Sequence, residues 1–344
     1  MTEVAILKPF WSKRTDGRWG ISDLNSITLR PEKGFGPNYF AIDSQLQQLA
    51  QTPPANLQNL FLSFGPTEFL LAQSILPIVA WKEGASSIRC IGTAFVVSCT
   101  GYIVTAGHVL LDPQESGYGG VIVRDGSLIF PDDLNMGVLI SRSPASGVPG
   151  FTFFPIEQAW TWGQWKDNPI FGRDDQFASL TDVAICKLPE RPGNAAHQPL
   201  SLSFNPFEIG ETAYAIGYAE MEDIPVEYWA GQMRIGAFAH RLYVSVGEVM
   251  TVFPTNHVTR DVPTPGPCFD FQARIPGKMS GAPVFGARGA IVRGVVSRSF
   301  SGEKHAYGCM IGPVMALPLD GNRSLLTLKQ NGADGIPDVH GAGL

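Results

Sequence analysis

Charge is scarce in this chain. Only 16% of its 344 residues are Asp, Glu, Lys or Arg, and the formal balance is −6. A nucleic-acid groove needs a basic surface, so no nucleic-acid partner is expected. Long apolar runs are missing too. The greasiest stretch, 60-LFLSFGPTEFLLAQSILPIVAW-81, is cut by Gly65, Pro66, Glu68, Gln73 and Pro77, which fits core structure and not a membrane span. The start, MTEVAILKPFWSKR, carries Glu3, has no basic leading region and breaks its apolar run at Lys8. That is not the layout of a secretory signal, so a cytoplasmic location without membrane contact is the default. Cysteines number five, an odd count with no CxxC pair. Without an export signal, Cys90, Cys99, Cys186, Cys268 and Cys309 read as reduced thiols, mostly buried in strands, with a Cys90–Cys99 bond across a hairpin left open. No metal and no cofactor are expected, and there is no internal repeat, heptad or low-complexity tract.

What the chain has in quantity is turn chemistry. With 38 glycines, 27 prolines and 44% hydrophobic residues, the composition favours sheet over helical bundle. Short β-branched runs begin near residue 75: 88-IRCIGTAFVVS-98, 102-YIVTAGHVL-110, 121-VIVRD-125, 181-TDVAICKL-188, 211-ETAYAIGY-218, 242-LYVSVGEV-249, 269-FDFQARI-275 and 291-IVRGVVSRS-299. Strands of this length between Gly, Pro and Asp turns predict an antiparallel sandwich or barrel. Before them, Ile42, Leu46 and Leu49 recur at helical spacing, which predicts a helix over 41–51 that Pro53 and Pro54 stop. The segments 141–150 and 160–169 read as surface insertions. Three parts are expected: an N-terminal extension (1–73), a β domain (74–319) and a polar C-terminal tail (320–344) that frays at its end.

Three residues carry the chemical interest. Ser280 lies in 276-PGKMSGAPVF-285, where by itself it is an ordinary turn serine. His108 ends the predicted strand 102-YIVTAGH, where the alternation breaks at the small pair Ala106 and Gly107, and alone it is a satisfied core or turn histidine. Asp182 heads an apolar strand, and a carboxylate beside Val183, Ile185 and Leu188 is desolvated unless a committed donor such as an imidazole faces it. Asp132, Asp133, Asp174 and Asp175 sit in polar loops and suit that role less well.

Taken in order, these residues bring a family into view. The segment GTAFVVSCTGYIVTAGHVL resembles the first hairpin of chymotrypsin-like (trypsin-like) serine peptidases of the bacterial branch, TDVAICKL their acid strand, and MSGAPVF their nucleophile turn. The stretches 215-AIGY-218 and 291-IVRGVVSRSF-300 resemble two further strands, so the likeness spans about 75–317. It implies a mainly β fold, a chymotrypsin-like double antiparallel β-barrel with a small N-terminal extension. It also implies a serine endopeptidase acting on proteins or peptides through Ser280, His108 and Asp182. The oxyanion donors would be the main-chain N–H groups of Lys278 and Ser280. Substrate would meet Ser297, Arg298, Ser299 and His305, with an acidic residue before the cut bond, or a small or apolar one if His305 is a loop histidine facing solvent.

Two departures from the family pattern bear on activity. Lys278 stands where the family usually has glycine, and Met279 stands where trypsin-type zymogens carry a switch aspartate. Residues 1–73 are therefore the candidate for a restraint or a partner-docking segment, with a plain structural extension as the equal alternative, in a regulated intracellular role in stress or defence. The contrasting expectation is a catalytically silent peptidase fold kept as a binding or scaffold module. An esterase of the α/β-hydrolase kind lacks its G-x-S-x-G signature here.

Overall fold

The computed structural model describes residues 4–13, 19–31, 39–43, 68–112, 116–141, 150–166, 176–192, 195–229, 232–235, 242–253, 264–287, 289–299, 305–319, 323–330 and 339–340. Three strands open it: β1 (Val4–Lys13), β2 (Trp19–Pro31) and β3 (Tyr39–Asp43). The helix expected over 41–51 is corrected at its start, since Ala41, Ile42 and Asp43 belong to β3, and 44–51 lie outside the described residues. The local run 39-YFAID-43 is aromatic and β-branched, and its strand partners decide against the helical spacing. Leu29, Tyr39, Ala41 and Ile42 are buried.

The apolar stretch before residue 82 forms α1 (Glu68–Ser74) and β4 (Ile75–Lys82), with Leu71, Ile75, Leu76, Ile78 and Val79 fully buried. Next come β5 (Ser87–Val96), β6 (Tyr102–Thr105), α2 (Gly107–Leu111), β7 (Ile122–Arg124) and β8 (Ser127–Ile129). They are followed by β9 (Leu134–Ser141), β10 (Phe151–Pro155), β11 (Gln158–Lys166) and β12 (Gln176–Lys187). These strands make one antiparallel sheet in the order β10-β9-β4-β5-β6-β12-β11-β8-β7. Its inner face carries Ile78, Ala94, Val96, Ile103, Val138, Ala184 and Cys186, with Val109 of α2 packed into the same cluster. The segment 160–166 is not a surface insertion. It lies in β11, and Trp160 and Trp162 point into the core at the two-residue period of a strand.

The second sheet is built from β13 (Ser201–Ser203), β14 (Thr212–Tyr218), β17 (Leu242–Phe253), β18 (Cys268–Phe271), β19 (Pro283–Gly286), β20 (Ile291–Ser299) and β21 (Ala306–Met310). A hairpin of β15 (Ile224–Trp229) and β16 (Gln232–Ile235) leaves it to pair with β5. Strands β14, β17, β18, β21, β20 and β19 close on themselves into a six-stranded barrel. A closed barrel beside a second antiparallel sheet is the mainly β double-barrel architecture the sequence predicts. The two meet through apolar side chains: Val79, Phe95 and Val104 from the first, and Tyr214, Ile216 and Val292 from the second. The N-terminal strands extend the second sheet, because β3 pairs with β17 and β1 forms the far edge. The described helices include none long and apolar enough to cross a membrane.

The chain after β21 forms α3 (Ile311–Val314), α4 (Leu325–Gln330) and β22 (Val339–His340). Among its described residues, the polar tail expected after Leu319 thus carries a helix and a short strand. Ser324 caps α4 through the N–H of Thr327, and the helix buries Leu325 and Leu328 in the core shared by the two sheets. Their spacing of three puts both on one helix face. Leu325→Ala is accordingly expected to cost about 2–5 kcal/mol in urea unfolding. A cost within about 0.5 kcal/mol, the range of an ordinary surface substitution, would mean the tail lies outside the core.

Candidate active site

His108 does not end a strand, as its sequence context suggests. Strand β6 stops at Thr105, Ala106 stays extended (φ −76, ψ 139), and His108 is the second residue of α2. That short turn points the main-chain N–H and the ring of His108 the same way, toward β12. On β12 the ladder with β11 is interrupted: Thr161 faces Ala184, but Gly163 faces Ser179, so residues 180–183 bulge opposite Trp162. A bulge re-aims side chains at the point where it breaks the pairing. Asp182 sits in it and turns inward.

The two side chains meet twice. The His108 N–H donates to Asp182 Oδ1 at 2.8 Å, and His108 Nδ1 lies 2.6 Å from Asp182 Oδ2. Both residues are buried, at 6% and 7% exposure. Burial pushes the Asp182 pKa up. The charge of His108, the hydrogen bonds from its ring and N–H, and one from Ser297 together outweigh burial and hold the carboxyl below its usual range. Asp182 is thus a carboxylate at neutral pH. A neutral His108 facing it must carry its proton on Nδ1, which leaves Nε2 as an acceptor. Among the other acids considered, Asp133 is exposed and paired with Lys82 at 2.8 Å, and 174–175 lie outside the described residues.

Ser280 lies in a tight turn linked to this pair through Ser297, whose carbonyl accepts the Ser280 hydroxyl and whose own hydroxyl donates to Asp182. Two ties hold the turn to the first sheet: Thr93 N–H donates to Ser280 O (2.9 Å) and Thr93 Oγ1 donates to Lys278 O (3.0 Å); within that sheet Thr105 Oγ1 donates to Thr93 O (2.7 Å) and steadies the strand behind them. Thr93 went unnoticed in the sequence, although it stands inside the GTAF motif. Behind the serine, Gly281 takes φ +87, and a Cβ there would lie 2.0 Å from Thr93 O and 2.2 Å from Thr105 Oγ1. Only glycine fits between the turn and β5.

Lys278 resolves the first departure from the family pattern. It adopts φ +76, the left-handed conformation that glycine would supply, at a cost of roughly 1–2 kcal/mol for a residue with a side chain. Its Nζ donates to Cys90 O at 2.5 Å, which anchors the strained residue to β5. Among the described residues no carbonyl takes the N–H of Lys278 or of Ser280, while the neighbouring Met279 and Gly281 amides are bonded to Pro276 O and Val296 O. The hydroxyl of Ser280 donates to Ser297 O at 3.1 Å.

The predicted substrate residues divide. Ser297 is fully buried, and its Oγ donates to Asp182 Oδ2. Its side chain thus belongs to the carboxylate, and only its main chain reaches Ser280. Arg298 pairs with Asp112 at 3.5 Å, and the hydroxyl proton of Ser299 is taken by Ile275 O at 2.7 Å. A hydroxyl that binds a substrate carboxylate must donate, so Ser299 would have to turn from Ile275 O to serve an acid-selecting pocket. His305 is half-buried and near enough to Asp270 to oppose the upward push that burial gives that carboxyl.

No cysteine competes for the nucleophile's role among the buried thiols. All five cysteines are free, and the open Cys90–Cys99 pairing is not made. Burial pushes Cys90 and Cys268 up to about 12, so neither supplies a thiolate near neutral pH. A cavity lined by Ser203, Glu208, Ile209 and Arg293 lies elsewhere and includes none of the predicted site residues. Arg293 there is held by Glu211, the carbonyls of Asn205 and Pro206 and the Phe207 ring, which is a structural role.

The sequence profile described as a trypsin-like peptidase domain matches residues 92–292, more than half of the chain. The chain belongs to the trypsin-like peptidase domain family. No curated protein matches it in sequence. Among solved structures, this trypsin-like peptidase domain is similar to Deg5 at 16% identity and a TM-score of 0.41, covering 76% of this chain and 90% of that one. It is also similar to the active form of the Rv3671c protease from M. tuberculosis, at 16% identity and a TM-score of 0.41, with coverage of 87% and 98%.

Gly281→Ala probes the clamped turn of the trypsin-like peptidase domain. The added methyl has backbone on one side and Thr105 on the other, so the expected cost is about 1–3 kcal/mol of overpacking plus the strain of positive φ. A thermal melt matching wild type would mean that the turn is not held against β5.

Proposed function

We propose that the chain is a serine endopeptidase that cleaves peptide bonds through an acyl-enzyme. The observation that carries the reading is the doubly hydrogen-bonded, buried His108–Asp182 pair, which leaves Nε2 of His108 as an acceptor, with Ser280 joined to the same carboxylate through Ser297. In the reaction, Ser280 Oγ attacks the scissile carbonyl while His108 Nε2 takes its proton. The same proton passes to the leaving amine, and water then attacks the ester by the same base. Asp182 holds the tautomer and stabilises the imidazolium. The oxyanion would be received by the N–H groups of Lys278 and Ser280, whose alternation with the bonded amides of Met279 and Gly281 supports that role. Substrate main chain would run along the end of β20 at Arg298 and Ser299, with His305 nearby.

One observation favours the silent-module reading. The single proton of Ser280 is directed at Ser297 O, so the side chain must turn toward His108 before it can react. A fluorophosphonate probe separates the two readings. Labelling of wild type at Ser280, no labelling of Ser280→Ala, and a fall of several orders of magnitude in peptide hydrolysis with unchanged melting are expected. An unlabelled, well-folded wild type would leave only the binding module.

Residues 1–73 are proposed to act in regulation or partner docking. Support comes from β1, whose position at the edge of the second sheet leaves a strand flank that an extended partner segment can pair with. Removing residues 1–18, and with them β1, is expected to change turnover of folded protein substrates more than that of short peptides. Equal effects on both would reduce the segment to a passive extension.

A further inference from the structure

The hydrogen bonds around Asp182 do not end at Ser297. Asp182 Oδ2 receives His108 Nδ1 and the hydroxyl of Ser297, and Ser297 Oγ lies 3.0 Å from Thr264 Oγ1. Serine has one hydroxyl proton, and Ser297 donates it to Asp182. The Thr264–Ser297 contact therefore has a single possible direction, with Thr264 donating and Ser297 accepting. Thr264 and Ser297 are both fully buried, so neither hydroxyl has water as a substitute partner. Thr264 is itself held from behind, since Cys268 Sγ is 3.5 Å from its carbonyl.

We infer that Thr264 is a positioning residue for the reaction, acting on His108 through Ser297 and Asp182. The inference rests on the serine-peptidase reading above. A hydroxyl that accepts a hydrogen bond becomes a better donor, because aligned hydrogen bonds polarise one another in a low-dielectric interior. Thr264 thereby strengthens the Ser297 hydrogen bond and draws part of the Asp182 charge away from the imidazole. It also fixes the direction from which Ser297 reaches Oδ2, leaving the other side of that oxygen for His108 Nδ1. Loss of the Thr264 hydroxyl has two consequences. The carboxylate is less firmly oriented, which slows the proton transfer. More of its charge faces His108, which favours the imidazolium over the neutral base.

Valine and serine divide the side chain cleanly. Thr264→Val keeps the shape and removes the donor, whereas Thr264→Ser keeps the donor and removes a methyl group. Rates are read per site titrated with the fluorophosphonate probe, so a partly unfolded fraction does not enter. For Thr264→Val we expect kcat lower by roughly fivefold, the size of one ordinary hydrogen bond, with KM little changed. The acid limb of its kcat/KM profile should move to higher pH. Thr264→Ser should restore both. If the valine variant fails to fold, Thr264→Cys, a weaker donor of similar shape, should give an intermediate rate and limb. A valine variant with wild-type kcat and acid limb, or with cysteine in its place a wild-type rate, overturns the inference. So does a serine variant impaired as much as valine, since that outcome marks a packing role. Absence of labelling and turnover in wild type would instead defeat the peptidase reading itself.

Discussion

The arrangement depends on one costly act, the burial of the Asp182 carboxylate. An ionised carboxylate in an apolar interior is tolerated only when its oxygens are supplied with donors. Asp182 receives three: the main-chain N–H and the ring of His108, and the hydroxyl of Ser297. Each donor comes from a different constraint on the chain. The first two require α2 to begin immediately after β6, so that consecutive groups of one residue face the same carboxylate. The third requires β20 of the closed barrel to approach β12 of the other sheet. The carboxylate is therefore a fastening between the two halves as well as an orienter of the histidine. Removing a single donor leaves a buried charge underserved, which costs more than the hydrogen bond itself contributes.

The serine is positioned by a second fastening made mostly of backbone. Thr93 on β5 uses its N–H and its hydroxyl on two carbonyls of the 278–280 turn, and it also accepts Tyr218 N–H at 3.1 Å. Gly281 and Lys278 supply the two left-handed residues that let the turn fold back on itself. Lysine in such a conformation is strained, and strain of this kind persists only where surrounding contacts over-determine it. Here they do: its carbonyl is held by Thr93 and its ammonium by Cys90 O.

Much of this was legible in the sequence, and the reasons differ by element. The β-branched runs from 88 to 299 announce strands because period and propensity agree. Asp182 stood out because a charged residue beside Val183 and Ile185 poses a question that only a partner can answer. The failures have equally definite causes. Residues 41–43 carry apolar residues at helical spacing, yet pairing with β17 overrides it. In 160–166 the tryptophans alternate as a strand requires, but the Gly, Asp, Asn and Pro around them disguise the segment as a loop. The committed partners of Ser299 and Arg298 could not be read, since Ile275 O and Asp112 are distant in the chain and only folding brings them close. Thr264 was invisible for the same reason.

The central claim is that a buried Asp182 carboxylate fixes the tautomer of His108 so that Nε2 is the base. Nitrogen-15 NMR of histidine-labelled protein, at a pH where His108 is neutral, reads this directly. The account predicts a protonated Nδ1 with a strongly downfield proton and an unprotonated Nε2 at His108, with the downfield signal lost in Asp182→Ala. A neutral His108 protonated on Nε2, or a tautomer unchanged by Asp182→Ala, would contradict it.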